Sequence, residues 1–599
     1  MKVNAMSIKK QSPFGKYLLP ILVVLIFNFP AVIAAQPSPS IEWQRCLGGS
    51  SSEYPNRVIT TSDGGYLVIG YTQSIDGDVY NAPRIPYTGW VVHLDQFGST
   101  LWTRCLDLDD VNNITDVIQT SDSGYLLVGR TRSRYVDSSR THGRWDALIV
   151  KLNKNGNVRW QRSYGGSKDD YASSIVESSL EGGGYIFVGA TSSVDGDVLG
   201  HHNSPDTSRS GYYDSTDAWV VAISYNGDLQ WQKCLGGDSA DFAHTIIKTP
   251  DGNYAFLGWT NSINGDVIDR HPTDGYYGNQ WLVKMNTTGS IIWQKILKGG
   301  AGYGLGWYGG VGGGYGGYGG GGGTQSFINA SDGGMMIVGS RDSSEGDITG
   351  YHKDTSHVTG FGDAYVVHLS PTGTILWQKC YGGSSWDWGA SIISTKDGGY
   401  LFIGTTDSRD GDLSIVRNKT NYYDGLWLVK INSIGNIEWQ QCYGGTQEDN
   451  GISILQTKDG KILFAGYTRS VDGDVEGAHY DGVSNYNYYG DIWVVKLGIT
   501  AGVTSSDDGK TMLIGNRIAN IYPNPASKNI HLQLQSSYTL QGVELYDMLG
   551  ARLSCETNLE ANTATINVES LPNGTYIARG SYKTASSMGT LTLPFIVYH

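Results

Sequence analysis

Short apolar runs of four to seven residues, rich in Val, Ile and Tyr, alternate along most of this chain with clusters of Gly, Asp and Asn. The stretch Ser391 to Gln441 shows the pattern at its clearest. It reads SIISTKDGGYLFIGTTDSRDGDLSIVRNKTNYYDGLWLVKINSIGNIEWQQ, four apolar runs separated by three turn clusters. Runs of this length between turn formers predict β-strands.

Nearly the same text recurs, and three landmarks appear seven times each. The first is a Trp, usually followed by Gln, at Trp43, Trp102, Trp160, Trp231, Trp293, Trp377 and Trp439. The second is a turn like DGGY, beginning at Asp63, Asp122, Glu181, Asp251, Asp332, Asp397 and Asp459. The third is an aromatic-led run like WVVKL, beginning at Trp90, Trp145, Trp219, Trp281, Tyr365, Trp427 and Trp493. Four strands per repeat with radial repetition predict an all-β chain built as a seven-bladed β-propeller. A β-solenoid has shorter coils and fewer large aromatics.

The chain enters the repeats on IEWQR at Ile41 and leaves them on WVVKL at Trp493. That phase predicts that Ile41 to Cys46 supplies the outer strand of the last blade, an N-terminal strand closing the ring and removing free sheet edges. It also gathers the Gly-Gly-Ser-x-x-Asp loops and the long loops beginning Asp-Gly-Asp on one side, with tight turns opposite. The side with the long, variable loops is the expected binding surface. One repeat departs from the rule: residues 299–323 hold 17 glycines among 25 residues, interleaved with Tyr303, Trp307, Tyr308, Tyr315 and Tyr318, and read as a loop insertion.

After Leu497 the text changes. Residues 499–515 read as a polar linker, and 516–599 as a small C-terminal β-sandwich of alternating strands and Pro/Asn/Gly turns. At the other end, Lys2, Lys9, Lys10 and Lys16 precede an apolar run from Tyr17 to Phe29 and small residues near Ala35. Residues 1–35 therefore read as a secretory signal peptide, and 36–498 as the propeller. The run is too short and too interrupted for a membrane span of about 20 residues, so the mature chain is expected to carry no transmembrane segment.

Composition adds three constraints. Gly (83), Tyr (39) and Trp (17) suit short strands, tight turns and aromatic packing. The formal net charge of −14, or −18 without the four leader lysines, argues against nucleic acid as a partner. Cys46, Cys105, Cys234, Cys380 and Cys442 each fall three residues after a repeated Trp, which places them on different sheets as separate buried thiols rather than in disulfides.

Four regularities carry candidate chemistry, each beside a plain structural reading. Asp76 and Asp78, Asp195 and Asp197, Asp410 and Asp412, and Asp472 and Asp474 each bracket a Gly and could chelate calcium, or simply make the turn; calcium is the one candidate cofactor. His202, His271, His352 and His479 follow the second acidic position of that motif by five residues, as metal ligands or loop locks. Glu53, Asn112, Asp170, Asp241, Asp387 and Asp449 stand at the entry to the inner strands, as a cation ring or as caps of their own turns. The pairs Tyr212 and Tyr213, Tyr276 and Tyr277, Tyr422 and Tyr423, and Tyr488 and Tyr489, with Trp386 and Trp388, offer aromatic platforms for sugar rings or a protein partner, or pack the loops down. The repeated Trp of the outer strands reads as inter-blade core. There is no Gly-x-Ser-x-Gly elbow, His-Glu-x-x-His or Walker loop, and no catalytic residue is assigned.

The C-terminal segment resembles the type A sorting domain of the Bacteroidetes type IX secretion system. The resemblance is carried by Tyr522-Pro523-Asn524-Pro525-Ala526, Leu545-Tyr546-Asp547-Met548-Leu549-Gly550 and Leu571-Pro572-Asn573-Gly574-Thr575-Tyr576. It implies engagement of the type IX machinery, export across the outer membrane, and release or surface attachment. Ile41 to Leu497 looks like secreted bacterial propeller repeats of the form LGGSxxDxAxSIIxTxDGGY…WVVKLxxxGxIxWQK, a likeness that speaks to fold more than function. The expectation is a monomeric, exported or cell-surface binding propeller that recognises a glycan or protein through its long-loop face. The alternatives are a secreted carbohydrate-active enzyme with dispersed acids on that face and a structural component of surface assembly.

Overall fold

The structure, a computed structural model, describes residues 39–80, 82–83, 87–106, 112–132, 145–179, 182–202, 216–269, 279–297, 326–341, 349–352, 362–413, 425–479, 489–498, 519–522, 528–534, 539–547, 551–572, 574–583 and 588–597. Every regular element among them is a β-strand.

Ile41 to Leu497 folds into four-stranded antiparallel sheets in a propeller-like arrangement, seven among the described residues. Sheet 1 runs Glu53–Thr60, Tyr66–Thr72, Thr88–Leu94 and Thr100–Cys105, each strand pairing with the next. Sheets 2 to 6 repeat this order from Asn112–Gln119, Asp170–Glu177, Asp241–Lys248, Ser326–Asn329 and Asp387–Ser394. Sheet 7 comprises Asp449–Gln456, Ile462–Thr468 and Asp491–Leu497, and its fourth strand is the N-terminal Ile41–Leu47. In that pairing Gln44 lies opposite Val495 and Cys46 opposite Trp493, so the strand expected from the phase of the repeats is in place. The first strand of each sheet touches the first strand of the next, and that of sheet 7 touches that of sheet 1.

The WVVKL strand is third in each sheet and buried along its whole length, which is why its text is apolar without alternation. Its Trp side chains fill the deepest positions: Trp90, Trp219, Trp281, Trp427 and Trp493 are under 2% exposed. A buried indole N–H needs an acceptor, and the Gln of the Trp-Gln motif supplies it from the fourth strand. Nε1 of Trp219, Trp281 and Trp427 donates to Oε1 of Gln232, Gln294 and Gln440 at 2.9 Å in each case. At the closing strand Trp493 donates to Gln44 at 2.7 Å.

The repeated Trp of the fourth strand is not fully buried core. It is half-buried and lies against the tight turn of the following sheet: Trp43 on Gly98, Trp102 on Gly156, Trp293 on Gly373. These contacts join sheet to sheet at the outer edge, while the third-strand Trp residues hold the interior. Cys46, Cys105, Cys234, Cys380 and Cys442 are buried thiols, one in each of five sheets.

The C-terminal residues form two further four-stranded sheets. Ala519–Tyr522, Asn529–Leu534, Thr563–Asn567 and Thr557–Leu559 make one, in that spatial order. Arg552–Leu553, Thr539–Asp547, Gly574–Lys583 and Met588–Val597 make the other. Ile530, Leu532 and Ile566 of the first and Leu545, Ala578 and Tyr582 of the second belong to one buried apolar cluster. Among the described residues no helix is long and apolar enough to cross a membrane.

Candidate functional site

The Asp-Gly-Asp loops and the Gly-Gly-Ser turns meet on one side of the sheets, where they are zipped together. Asp78 N–H donates to Gly48 O at 2.8 Å and Ser50 N–H to Asp76 Oδ1 at 2.7 Å. In sheet 3, Asp197 N–H donates to Gly165 O at 2.8 Å, Asp197 Oδ2 accepts Gly165 N–H at 3.3 Å, and Asp195 Oδ1 accepts Ser167 N–H at 2.6 Å. The zipper recurs where Asp412 N–H meets Gly382 O and Ser384 N–H meets Asp410, and where Asp474 N–H meets Gly444 O and Thr446 N–H meets Asp472. The middle glycine is required: Gly77 has φ 65°, and a Cβ there would stand 2.3 Å from Gly48 O. Backbone donors hold the Asp76 and Asp410 carboxyls below the usual carboxylate range.

This geometry bears on the calcium reading of the loops. Asp76, Asp78, Asp195, Asp197, Asp410, Asp412, Asp472 and Asp474 all act as turn residues, their carboxyl oxygens accepting backbone N–H groups of the facing Gly-Gly turn. Asp197 and its counterparts Asp78, Asp412 and Asp474 face that turn's first glycine rather than an open cage. Among the described residues no group of three or more His, Cys, Asp and Glu side chains is arranged to hold a metal.

Beneath the zipper sit the inner-strand acids, each fully buried. Asp387 accepts Gly383 N–H at 2.8 Å, the Ser408 hydroxyl at 2.7 Å and the Thr406 hydroxyl. Asp170, Asp241 and Asp449 hold the equivalent Gly N–H and Ser hydroxyl, and Glu53 reaches Gly49 N–H at 2.9 Å and Thr72 at 2.6 Å. Asn112 instead accepts Gly89 N–H at 2.8 Å. The five acids are internal locks on their Gly-Gly turns, as the capping reading expected, while Asn112 ties its strand to the third strand of sheet 1. Burial favours the neutral acid over the carboxylate and outweighs the donors, pushing Asp170, Asp241 and Asp387 up to about 7.

Three histidines pair with the acid that opens the third strand of their own sheet, and two of them also reach the next sheet. His202 Nδ1 lies 2.8 Å from Asp217 of its own sheet, and its Nε2 lies 3.7 Å from Asp266 of the next. His479 repeats this between sheets 7 and 1, with Asp491 at 3.1 Å and Asp78 at 3.6 Å. His352 meets Asp363 at 3.3 Å. Burial raises the Asp217 and Asp491 carboxyls and lifts Asp363 to about 6. Burial lowers the His202 imidazole, but its hydrogen bond to Asp217 wins and the net shift is upward. His271 lies outside the described residues.

A second ring, one residue further along each inner strand, is not apparent in the sequence. Tyr54 pairs across the ladder with Tyr71, Asn113 with Arg130, Tyr171 with Ala190, and Phe242 with Trp259. Trp388 pairs with Thr405, and Asn450 with Tyr467. These pairs touch from sheet to sheet. Tyr54 and Tyr467 have ring centroids 5.2 Å apart, and the Arg130 guanidinium lies 4.5 Å from the Trp145 ring and 5.2 Å from that of Tyr171. Thr405 donates to Asn450 Oδ1 at 3.2 Å, and Asn56 to Asn113 Oδ1 at 3.2 Å. The ring is a girdle of aromatic, amide and guanidinium groups on the loop side of the inner strands. Its sequence signal is the residue after each inner acid, together with the residue after the glycine near the end of each second strand.

Of the aromatic platforms expected in the long loops, Tyr212, Tyr213, Tyr276, Tyr277, Tyr422, Tyr423 and Tyr488 lie outside the described residues. Tyr489 is half-buried. Trp386 and Trp388 stack with centroids 6.1 Å apart, Trp386 half-buried and Trp388 buried within the girdle.

At the C-terminus, residues 520–592 match the family described as the secretion system C-terminal sorting domain. The chain carries a type IX sorting domain. The sorting domain commits the protein to the type IX machinery and to the cell surface or extracellular space. Within it, Tyr576 is buried and donates to Pro572 O at 2.7 Å, fixing the Leu571-Pro572 turn, and the Tyr546 hydroxyl donates to Glu544 at 2.7 Å. Tyr522, Asp547 and Gly574 lie on strands, while Pro523, Asn524, Pro525 and Gly550 lie outside the described residues. No curated protein matches the chain in sequence.

Among solved structures, the chain is similar to PorZ, a surface component of the type IX secretion system of Porphyromonas gingivalis, at 10% identity and a TM-score of 0.36. That alignment covers 92% of this chain and 60% of PorZ. The Pan2 WD40 domain of Neurospora crassa aligns at 7% identity and a TM-score of 0.35, over 74% of this chain and all of that one. A copper-bound fungal alcohol oxidase aligns at 10% and 0.34, over 94% of this chain and all of that one. Likenesses this remote transfer no activity to this chain.

Proposed function

We propose that this protein is an exported binding module: a seven-bladed β-propeller, residues 36–498, that engages a glycan or protein ligand through its loop-side face. Residues 1–35 serve as signal peptide, 499–515 as linker, and 516–599 as a β-sandwich that delivers the propeller to the type IX machinery. The observation that carries the reading is a row of exposed β-branched side chains, each directly before an Asp-Gly-Asp or Asn-Gly-Asp turn. Ile75 is 54% exposed, Val194 48%, Ile263 50% and Val471 49%. The turns under them are fixed by the zipper, so these side chains are held in the open, and exposed apolar groups aligned by a rigid frame mark an interaction surface. The tyrosine-rich loop residues Tyr212, Tyr213, Tyr276, Tyr277, Tyr422, Tyr423, Tyr488 and Tyr489 belong to the same proposed surface.

The test is a screen of the full chain against glycans and surface proteins. It compares the wild type with a variant carrying Ile75→Ser, Val194→Ser, Ile263→Ser and Val471→Ser, and with Tyr422→Ala/Tyr423→Ala. Weakened binding in either variant supports the reading. Binding equal to wild type in both removes the loop-side claim. Turnover of polysaccharides by the wild type would instead favour the carbohydrate-active enzyme.

A further inference from the structure

We propose that the girdle around the inner strands is the binding site itself and that its ligand is a neutral oligosaccharide. The proposal rests on the loop-side reading above and narrows it to one place and one chemistry.

A repeat shows its scaffold in what it keeps and its recognition surface in what it varies. The glycine preceding each second-strand girdle residue is the same in every described sheet, and a Cβ on Gly70 or Gly258 would stand 2.0 or 1.9 Å from the inner-strand carbonyl. The lock residue before each inner-strand girdle residue varies only among Asp, Glu and Asn. Scaffold chemistry is thus held nearly constant on both sides of the girdle. The girdle positions follow no such rule, since one strand offers Tyr54, Asn113 and Phe242 in different sheets where its partner offers Tyr71, Arg130 and Trp259. Packing alone would be served by a nearly repeated solution, as at the third-strand position, which is Trp in five of the seven sheets with Leu148 and Tyr365 in the other two. An asymmetric constellation on a symmetric frame is what recognition of a particular ligand requires.

Its chemistry favours a sugar. Half-buried ring faces, Tyr171 and Trp259 among them, suit the apolar C–H faces of a pyranose. The Trp259 ring packs against Phe242 with centroids 5.7 Å apart, which fixes the orientation of its half-buried face. Just beyond the girdle, Asp169, Asp407 and Glu448 stand at the strand ends, where Ser192, Asp407 and Arg469 N–H close the ladder onto the carbonyls of Asp169, Trp386 and Glu448. Glu448 is paired with Arg469 at 3.5 Å, while Asp169 and Asp407, which accept the Tyr171 and Ser385 hydroxyls, leave net negative charge at the rim that disfavours uronates, sulfated sugars and nucleic acid. Arg130, the guanidinium of the described girdle, is already stacked between Trp145 and Tyr171, a support for the rings rather than an anchor for an anion.

The experiment is titration of the purified full chain with neutral cello-, xylo-, malto- and manno-oligosaccharides, with uronate oligomers and a peptide pool as the other arms. We expect binding of at least one neutral series, weakened about tenfold or more by Trp259→Ala and by Tyr171→Ala. Trp259→Phe, which keeps a smaller ring, is expected to fall in between. Melting temperatures of the variants separate lost binding from lost folding. Neutral-sugar binding that survives both alanine variants but disappears in the Ile75/Val194/Ile263/Val471 variant overturns the girdle and leaves the loop-side reading standing. Binding of uronates or peptides alone overturns the ligand class, and no binding in any arm overturns both.

Discussion

Two sets of carboxylates at opposite ends of the strands, the buried locks and the tight-turn acids, are handled in opposite ways. At the loop end, Asp170, Asp241 and Asp387 are sealed inside, and burial pushes them up to about 7. At the tight-turn end, Asp63, Asp122, Asp332, Asp397 and Asp459 are about half exposed, each facing a buried cation or imidazole from the third strand, and all are held low. Lys151 meets Asp122 at 2.8 Å, Lys430 meets Asp397 at 2.9 Å and Lys496 meets Asp459 at 3.0 Å. These pairs explain the Lys or His in the fourth position of the WVVKL strand, a residue with no place in an apolar run until its turn partner is seen. One residue type, at two ends of one repeat, therefore stabilises the fold in opposite protonation states. The turn end is uniform scaffold, while the loop end stacks a uniform lock beneath a varied girdle.

Loss of a lock is expected to do the most damage. Asp387→Ala leaves Gly383 N–H and the Ser408 and Thr406 hydroxyls without their acceptor. A loss on the order of 3 kcal/mol is expected in denaturant unfolding, and a loss below about 1 kcal/mol would show that the lock carries little. Next is the closing strand: Gln44→Ala forfeits the acceptor for Trp493 Nε1 and the bond to Asp474 O at 2.8 Å. Its cost in the same assay is expected to be about 1–2 kcal/mol. On the turn end, Lys430→Met is expected to cost about 1 kcal/mol or less at neutral pH, because Asp397 is largely in water. The smallest expected effect is that of calcium. The carboxyl oxygens of Asp195, Asp197 and their counterparts already accept backbone N–H groups, so melting temperatures in calcium and in chelator are expected to agree. A rise with calcium would assign those loops a cation.

Much of this architecture can be read from the sequence because its landmarks are periodic. Trp-Gln, DGGY and WVVKL mark the strands, and the offset between Ile41 and Trp493 gives the closing strand. Inner strands also carry a register shift, between Pro55 and Arg57 or Ala243 and Thr245 for example, and this is invisible in a pattern of apolar letters. Without that register Tyr54 cannot be paired with Tyr71, or Phe242 with Trp259, and the girdle goes unseen. The buried state of Asp170 and Asp387 is hidden for a similar reason. In sequence they resemble the exposed turn acids, and only the fold separates them.

The opposition between the two ends is tested most directly by the melting temperature of the full chain from pH 3 to pH 9. The raised loop-end acids Asp170, Asp241 and Asp387 contribute fully below the ordinary carboxylate range and lose that contribution as pH rises from there to about 7. His202, also raised, loses its contribution as pH rises beyond the ordinary imidazole range. Turn-end acids with lowered values contribute above the ordinary carboxylate range and lose it as pH falls below that range, Asp122 as pH falls toward about 2. A maximum near about pH 4 is expected, with a decline on both sides and the alkaline decline reduced in Asp387→Asn. A wild-type curve that keeps rising to about pH 8 would refute the burial of neutral acids at the loop end.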